Sequence, residues 1–157
     1  MPSLTFDSPL GLLHLAGDGA ALTALGWGRA KVEAPDPVLE EAERQLRDWL
    51  AHRRQSFDLP LRPAGTAFQL RVWAAMMDIP HGRTATYGDL AQRLLSAPRA
   101  VGGACGKNPI PIIIPCHRVV GASGLTGYSG GQGLSTKVWL LQHEEGFTQG
   151  ALPLAAP

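Results

Sequence analysis

The sequence predicts an α+β protein, in which a small N-terminal sheet-and-helix domain precedes a helical domain that contains a helix-turn-helix. Short apolar runs separated by turn residues fill the first 27 positions, a pattern typical of strands. From residue 37 onward, apolar residues recur at helical spacing in several separate segments. With 157 residues, 45% of them hydrophobic, the chain can form one well-packed domain or two small ones.

The N-terminal region carries signals for strands and then for a helix. Strands such as Leu12–Ala16 and Ala21–Leu25 are expected, because each follows a turn rich in glycine and aspartate. A helix is expected from Pro37, with Trp49 on its buried face. We expect it to end near residues 52–54, where cationic side chains complement the C-terminal helix dipole.

A proline-rich passage separates the two regions. Residues 57–65 contain two prolines and read as extended chain, so we place the domain boundary there. The resulting domains are 1–62 and 63–150, followed by a loose tail at 151–157.

The second region predicts a helix-turn-helix. Thr66 is an N-cap candidate for its first helix. Either Thr84 or Thr86 caps a short helix over 87–95, and another helix begins at Arg99 after a proline-containing break. Two short helices joined by a tight turn match the helix-turn-helix pattern.

The second helix of this pair has almost no side-chain bulk. Three of its residues over 100–106 are glycines, and each lowers helix stability by roughly 1 kcal/mol relative to alanine. Close packing against another helix explains this composition, and so does insertion into a confined nucleic-acid groove. The residues alone leave both explanations open.

Charge, targeting signals and cysteine content narrow the class of protein. Residues 1–65 carry seven basic and nine acidic side chains, whereas 66–157 carry seven and four. That basic half is compatible with phosphate contacts and equally with an ordinary solvated surface. No signal peptide and no apolar run of ~20 residues is seen, so we expect a soluble cytoplasmic protein. The two cysteines form no Cys-x-x-Cys pair, and neither a disulfide scaffold nor a zinc site is expected.

The candidate nucleophile is Cys116. It follows a stiff apolar run over 108–115 that contains three prolines. A lone cysteine is more often a small buried hydrophobe, but the adjacent His117 and Arg118 favour the reactive thiolate. Cys105 has no such neighbours, and we interpret it as a packing residue.

The segment Pro115–Val119 resembles the Pro-Cys-His-Arg-Val signature of the methylated-DNA–protein-cysteine methyltransferases, the O6-alkylguanine-DNA alkyltransferase family. The resemblance extends from about residue 6 to residue 146 and is closest in the second domain. Its further blocks are Gly65–Gln69, Val72–Trp73, Ile79–Pro80, Tyr87–Gly88, Arg99–Gly102, Asn108–Pro109, Gly127–Gly131, Lys137 and Leu140–Leu141.

This resemblance implies a function and a more specific fold. The second domain becomes a winged helix-turn-helix-like DNA-binding and catalytic domain. The implied activity is DNA repair by single-turnover transfer of an alkyl group from O6-alkylguanine to Cys116. The implied partner is double-stranded DNA containing that lesion, with no cofactor, no metal, no membrane association and a monomeric chain. Whether O4-alkylthymine is also a substrate stays open.

The resemblance also implies the catalytic roles. His117 takes the thiol proton through a water, since adjacent residues of an extended chain face opposite sides. Glu144 orients His117, although the neighbouring Glu145 is an alternative. Asn108 is a hinge that bonds backbone near the site, and Tyr128 is the candidate proton donor to O6 of the departing guanine.

The DNA contacts follow from the same resemblance. The helix-turn-helix acts in the minor groove, which is roughly 6 Å wide and excludes bulky helices. Arg99 enters the base stack and Tyr87 pushes the phosphate, so that the damaged nucleotide is flipped out. The further DNA-binding candidates are Gln69, Thr86, Ala100, Gly102 and Ser129.

Two other functions fit Cys116 less well. A lesion sensor or regulator would bind DNA without transferring an alkyl group. A cysteine hydrolase would use Cys116 and His117 for multiple turnovers, but it leaves Arg99 and the glycine-rich helix without a role.

Overall fold

A computed structural model describes residues 1–124, 128 and 130–148, with only the backbone described for 146–148. The chain divides into two compact units, residues 1–64 and the residues from 65 onward. The sequence predicted a boundary between two domains at residues 62 and 63. That these domains fold separately stays a prediction. The tail predicted at 151–157 lies outside the described residues.

The first unit contains an antiparallel three-stranded sheet in the order β1-β2-β3. Its strands are Ser3–Ser8, Gly11–Gly17 and Leu22–Trp27. The two predicted strands are present as β2, which is longer at both ends, and as β3, which begins one residue later than predicted and ends at Trp27. The apolar run before them, for which no bounds were predicted, forms β1. Asp7, Ser8 and Gly11 have the character of turn residues, but they form the paired ends of β1 and β2. The hairpin closes tightly between Ser8 and Gly11, where φ of Gly11 is 92°.

One helix covers this sheet. α1, Pro37–Leu50, begins after Asp36, whose side chain accepts a hydrogen bond from the Leu39 N–H at 2.8 Å. Trp49 is fully buried, as the periodicity predicted. The helix ends slightly before the predicted cationic residues, and His52 adopts a left-handed φ of 60°.

The second unit is mainly helical, and the predicted α+β class is confirmed. Its helices and strands are α2 Ala67–Met77, β4 Ala85–Thr86, α3 Tyr87–Leu94, α4 Pro98–Gly106, β5 Val119–Val120 and α5 Leu134–Thr148. β4 and β5 pair in parallel. No helix within the described residues combines the length and apolar character of a membrane span.

The predicted helix-turn-helix is formed by α3 and α4. Of the two candidate caps, Thr86 caps α3, because its Oγ1 accepts from the Asp89 N–H at 2.9 Å. α3 ends one residue earlier than predicted, since Leu95 takes a left-handed φ of 55°. α4 begins one residue earlier than predicted at Pro98, because the first helical position needs no N–H donor.

Candidate active site and DNA-binding face

A buried tryptophan holds the helices that carry the site. Trp73 of α2 donates its indole N–H to the Ala104 carbonyl of α4 at 2.9 Å. Val101 and Ala104 are buried and lie on the face of α4 that packs into the interior. The opposite face of α4 is therefore left to solvent, with Arg99, Ala100 and Gly103 exposed there.

Asn108 joins the end of α4 to the active-site segment. Its Nδ2 donates to the Ile114 carbonyl at 2.8 Å, and its Oδ1 accepts from the Ile110 N–H at 3.0 Å. These two bonds close the loop between the helix and the cysteine. The buried isoleucines of that loop anchor it in the interior. The side chain that was predicted as a hinge thus fixes the backbone on both sides of the loop.

The backbone turns at Cys116. Residues Cys116–Arg118 form a single 3₁₀ turn, so Cys116 and His117 do not alternate as they would in a strand. The Cys116 side chain is buried, with the residue 6% exposed. Burial raises the pKa of the Cys116 thiol, while Asn108, Lys137 and Tyr128 act in the opposite direction. The site therefore buries the thiol yet surrounds it with groups that stabilise its thiolate.

His117 and Glu144 form a buried pair. His117 Nε2 lies 2.9 Å from Glu144 Oε2, and neither residue has measurable exposure. Burial raises the pKa of Glu144, but His117 and Arg118 outweigh it and hold that pKa below its ordinary value. Glu144 is thus a carboxylate that can only accept, so His117 Nε2 must carry a proton. Burial lowers the pKa of His117, which leaves Nδ1 of the neutral ring as a proton acceptor.

This geometry also distinguishes the two candidate glutamates. Glu144 contacts His117, and Glu145 is only half-buried. The contact with His117 is thus made by Glu144, the first of the two candidates.

Arg118 is the counter-ion of Glu144, whereas the sequence analysis expected it to stabilise the Cys116 thiolate. Its Nη2 donates to Glu144 Oε2 at 2.6 Å, and its Nη1 donates to the Ile79 carbonyl at 2.6 Å. The motif placed Arg118 beside Cys116, but only the fold reveals that its charge is directed to Glu144. In the sequence, the signal that Arg118 belongs to the site was its place in the motif, two positions after Cys116.

Lys137 is a second group of the site, and the sequence analysis named it only as part of the family resemblance. It is fully buried, and its Nζ donates to the Val119 carbonyl at 2.6 Å. Burial lowers the pKa of Lys137, while the charge it carries lowers the pKa of Cys116. A buried lysine beside a thiol favours the thiolate.

Tyr128 also reaches the thiol. Its phenol O–H interacts with Cys116 and stabilises the thiolate, whereas burial raises the pKa of Tyr128 itself well above its usual range. Tyr128 is therefore protonated and able to donate near the reacting sulfur. Its predicted neighbour Ser129 lies outside the described residues.

The second cysteine has a different environment. Cys105 packs in α4 with its Sγ 3.5 Å from Met76 Sδ. Burial is the main cause that raises the pKa of Cys105 to about 12. A thiol with that pKa stays protonated and unreactive at neutral pH.

The predicted DNA-binding residues fall into two groups. Arg99 and Ala100 are exposed at the start of α4, and Gly102 faces the Tyr87 ring, 3.9 Å from where its Cβ would lie. Thr86 and Gln69 instead close capping boxes, at α3 and at α2 respectively. Those two side chains are already engaged in holding helix N-termini, and a DNA contact would be an additional use of them.

Comparison with known proteins supports the same reading of the chain. Residues 3–63 match the model of the 6-O-methylguanine DNA methyltransferase ribonuclease-like domain, and residues 67–146 match that of the DNA binding domain. The chain is 47% identical over 150 residues to the methylated-DNA–protein-cysteine methyltransferase of Methanosarcina acetivorans, covering 88% of this chain and 95% of that protein. It is 46% identical over 151 residues to the Mycobacterium tuberculosis protein of that name, covering 90% of each.

Solved structures of proteins from the same family also match this chain. The crystal structure of Mycobacterium tuberculosis OGT in complex with DNA matches with a TM-score of 0.85 and 45% identity, covering 94% of each chain. An O6-methylguanine DNA methyltransferase from Methanococcus jannaschii matches with a TM-score of 0.66 and 30% identity, covering 90% of this chain and 92% of that one. Since the family models span both compact units, the chain belongs to the O6-methylguanine DNA methyltransferase family.

Proposed function

We propose that this protein repairs alkylated double-stranded DNA by moving an alkyl group from O6 of guanine to Cys116, once per molecule. The arrangement of Cys116 beside the buried His117–Glu144 pair is the observation that carries the proposal. Family membership supports the activity, because relatives with 46–47% identity are methylated-DNA–protein-cysteine methyltransferases.

The chemistry begins with the thiol proton. His117 Nδ1 accepts it through a bridging water, while Glu144 holds the opposite ring nitrogen. The Cys116 thiolate attacks the alkyl carbon, so that an S–C bond forms as the C–O6 bond breaks. The bonding electrons go to O6, and Tyr128 donates a proton as that charge develops. The proton held by His117 then passes to the Tyr128 oxygen. The products are neutral guanine and a thioether at Cys116.

The thioether ends the reaction. A thiolate displaces sulfur from a disulfide, but a thioether offers no comparable leaving group. Each molecule therefore acts once, and the rate of repair is limited by the supply of protein.

We further propose that α4 enters the minor groove. Its exposed face carries Ala100 and Gly103, and a Cβ built at Gly103 meets nothing within 4 Å. Packing inside the protein thus does not require glycine there, whereas a narrow groove favours residues with little side-chain bulk. We assign Arg99, which is exposed at the start of the helix, the role of replacing the flipped base in the stack.

The setting of the activity is also proposed. Both cysteines are free thiols, and free thiols fit a reducing compartment. We propose that the protein acts in the cytoplasm as a monomer.

Mass spectrometry tests the transfer directly. The protein is mixed with a duplex that contains one O6-methylguanine, and its peptides are mapped. We expect one methyl group per molecule, on Cys116 and not on Cys105. Cys116→Ala should bind the duplex without modification, while the matched variant Cys105→Ala should still transfer. Binding without modification of the wild type would favour the lesion sensor, and multiple turnovers on an ester would favour the hydrolase.

A further inference from the structure

The turn between α2 and β4 surrounds the carboxylate that orients His117. The Ile79 carbonyl of this turn accepts the Nη1 hydrogen bond of Arg118. The Gly82 N–H donates to Glu144 Oε1 at 3.3 Å. Between them, His81 Nδ1 lies 3.7 Å from Glu144 Oε2, and only 6% of the His81 side chain is exposed. A second imidazole therefore lies against the same oxygen that contacts His117.

Several charged or titratable groups face His81. Glu144 and His143 approach it from α5, and Arg118 and His117 approach it from the 3₁₀ turn. Burial lowers the pKa of His81, while Glu144 acts in the opposite direction. His81 is consequently neutral near pH 7. It contacts the carboxylate without adding a second positive charge beside Arg118.

The carboxylate of Glu144 contacts His117, Arg118 and Gly82 at the same time. The Arg118 guanidinium spans both oxygens, with Nε 3.0 Å from each of them. This fork fixes the plane of the carboxylate. His117 Nε2 lies 2.9 Å from Oε2. The polar Nδ1 edge of His81 approaches that same oxygen from the turn between α2 and β4, so a change at this edge alters the surroundings of the oxygen that His117 contacts.

We propose that His81 is a positioning residue that keeps Glu144 Oε2 on His117, and thereby keeps His117 Nδ1 available to take the Cys116 proton. The inference rests on the proposed function, because it assigns His81 to the same proton transfer. His81 touches neither the alkyl group nor the sulfur. It acts through Glu144, so its removal should slow the chemical step and leave DNA affinity unchanged.

Three variants test this role. His81→Leu keeps the bulk and removes the polar edge, and His81→Gln retains an N–H donor. His52→Asn changes a histidine of the first unit whose left-handed φ of 60° asparagine tolerates. For each, single-turnover methyl transfer is measured at saturating duplex, together with the Kd for the duplex. The pH dependence of Cys116 alkylation by iodoacetamide is measured in a Cys105→Ala background.

We expect His81→Leu to slow methyl transfer by about tenfold, a loss typical of groups that orient a reacting histidine. Its iodoacetamide reaction should require a higher pH, because thiolate formation depends on His117. His81→Gln should restore most of both, and His52→Asn should match the wild type. The duplex Kd should stay the same in all.

Other results would overturn the role of His81. If folded His81→Leu reacts like the wild type, or if only its thermal stability falls while rate and pH profile stay the same, His81 merely fills space. Iodoacetamide reports the thiolate without DNA. A wild type that shows the pH profile but transfers no methyl group would therefore refute the proposed function rather than the role of His81.

Discussion

At the scale of single residues, Glu144 has the largest consequence, because it pairs a buried histidine and a buried arginine at once. We predict that Glu144→Gln nearly abolishes methyl transfer. It should also lower the free energy of unfolding by about 3–5 kcal/mol, since the charge of Arg118 is left buried without its partner. Urea unfolding and single-turnover transfer measure the two effects. Glu145→Gln is the matched control, and a larger loss in that variant would assign the role to Glu145.

Sequence reasoning reached part of this site for a physical reason. Cys116 and His117 are adjacent in the chain, so their motif is visible without a fold. The contact of Arg118 with Glu144 spans 26 residues, and that of His81 with Glu144 spans 63. Nothing local in the sequence encodes those distances. Such contacts exist only after α2, the 3₁₀ turn and α5 pack together.

At the scale of elements, substitutions in α4 distinguish the two explanations of its glycines, which are close helix packing and insertion into a nucleic-acid groove. Because space around Gly103 is open, we predict that Gly103→Ala stabilises the protein, by up to about 1 kcal/mol. Gly103→Leu should also fold, yet lose duplex affinity by at least about tenfold, because its side chain would occupy the groove. Gel shift and urea unfolding provide the measurements. Ala74→Leu adds similar bulk to an exposed position of α2 and should bind normally; an unchanged affinity in Gly103→Leu would remove α4 from the interface.

The turn that joins α3 to α4 carries strain that can be relieved. Leu95 adopts φ 55° and is 94% exposed, so its side chain stabilises nothing by packing. We predict that Leu95→Gly raises the free energy of unfolding by about 0.5–1 kcal/mol, because the left-handed backbone no longer crowds a Cβ. Chemical denaturation measures this gain. Leu94→Gly, at a buried helical position, should instead destabilise; a loss of stability in Leu95→Gly would mean that the leucine has a partner.

Element prediction succeeded where the signals are local. The caps and periodicity of α1, α2 and α3 are contained within each helix, and the sequence located all three. The bounds of β1 were not predicted, because its last residues resemble a loop in the sequence but pair with β2 in the ladder. Helix ends moved by one residue at Leu95 and Pro98, where backbone conformation decides the boundary.

At the scale of the whole molecule, the buried site makes the stability of the protein depend on pH. The pKa of His81 and of His117 lies below 6.5 in the folded state, so the unfolded chain binds those protons first. Folding stability should therefore fall as pH drops below 6.5. The pKa of Glu144 lies below its ordinary 4.5, and its contribution, present above pH 4.5, is lost as pH falls through the folded value.

We predict that urea midpoints of the full chain decline from pH 7.5 to pH 5, before the carboxylates titrate. His81→Gln removes one of the two buried imidazoles and should flatten this decline, whereas His52→Asn should retain it. Below pH 4.5 the decline should steepen in the wild type, because the unfolded chain then binds a proton at Glu144 while the folded chain keeps that carboxylate ionised against Arg118. A midpoint that stays constant between pH 7.5 and 5 would show that the imidazoles are equally protonated in the folded and unfolded chains, and would contradict the buried, neutral His117 that the proposed proton transfer requires.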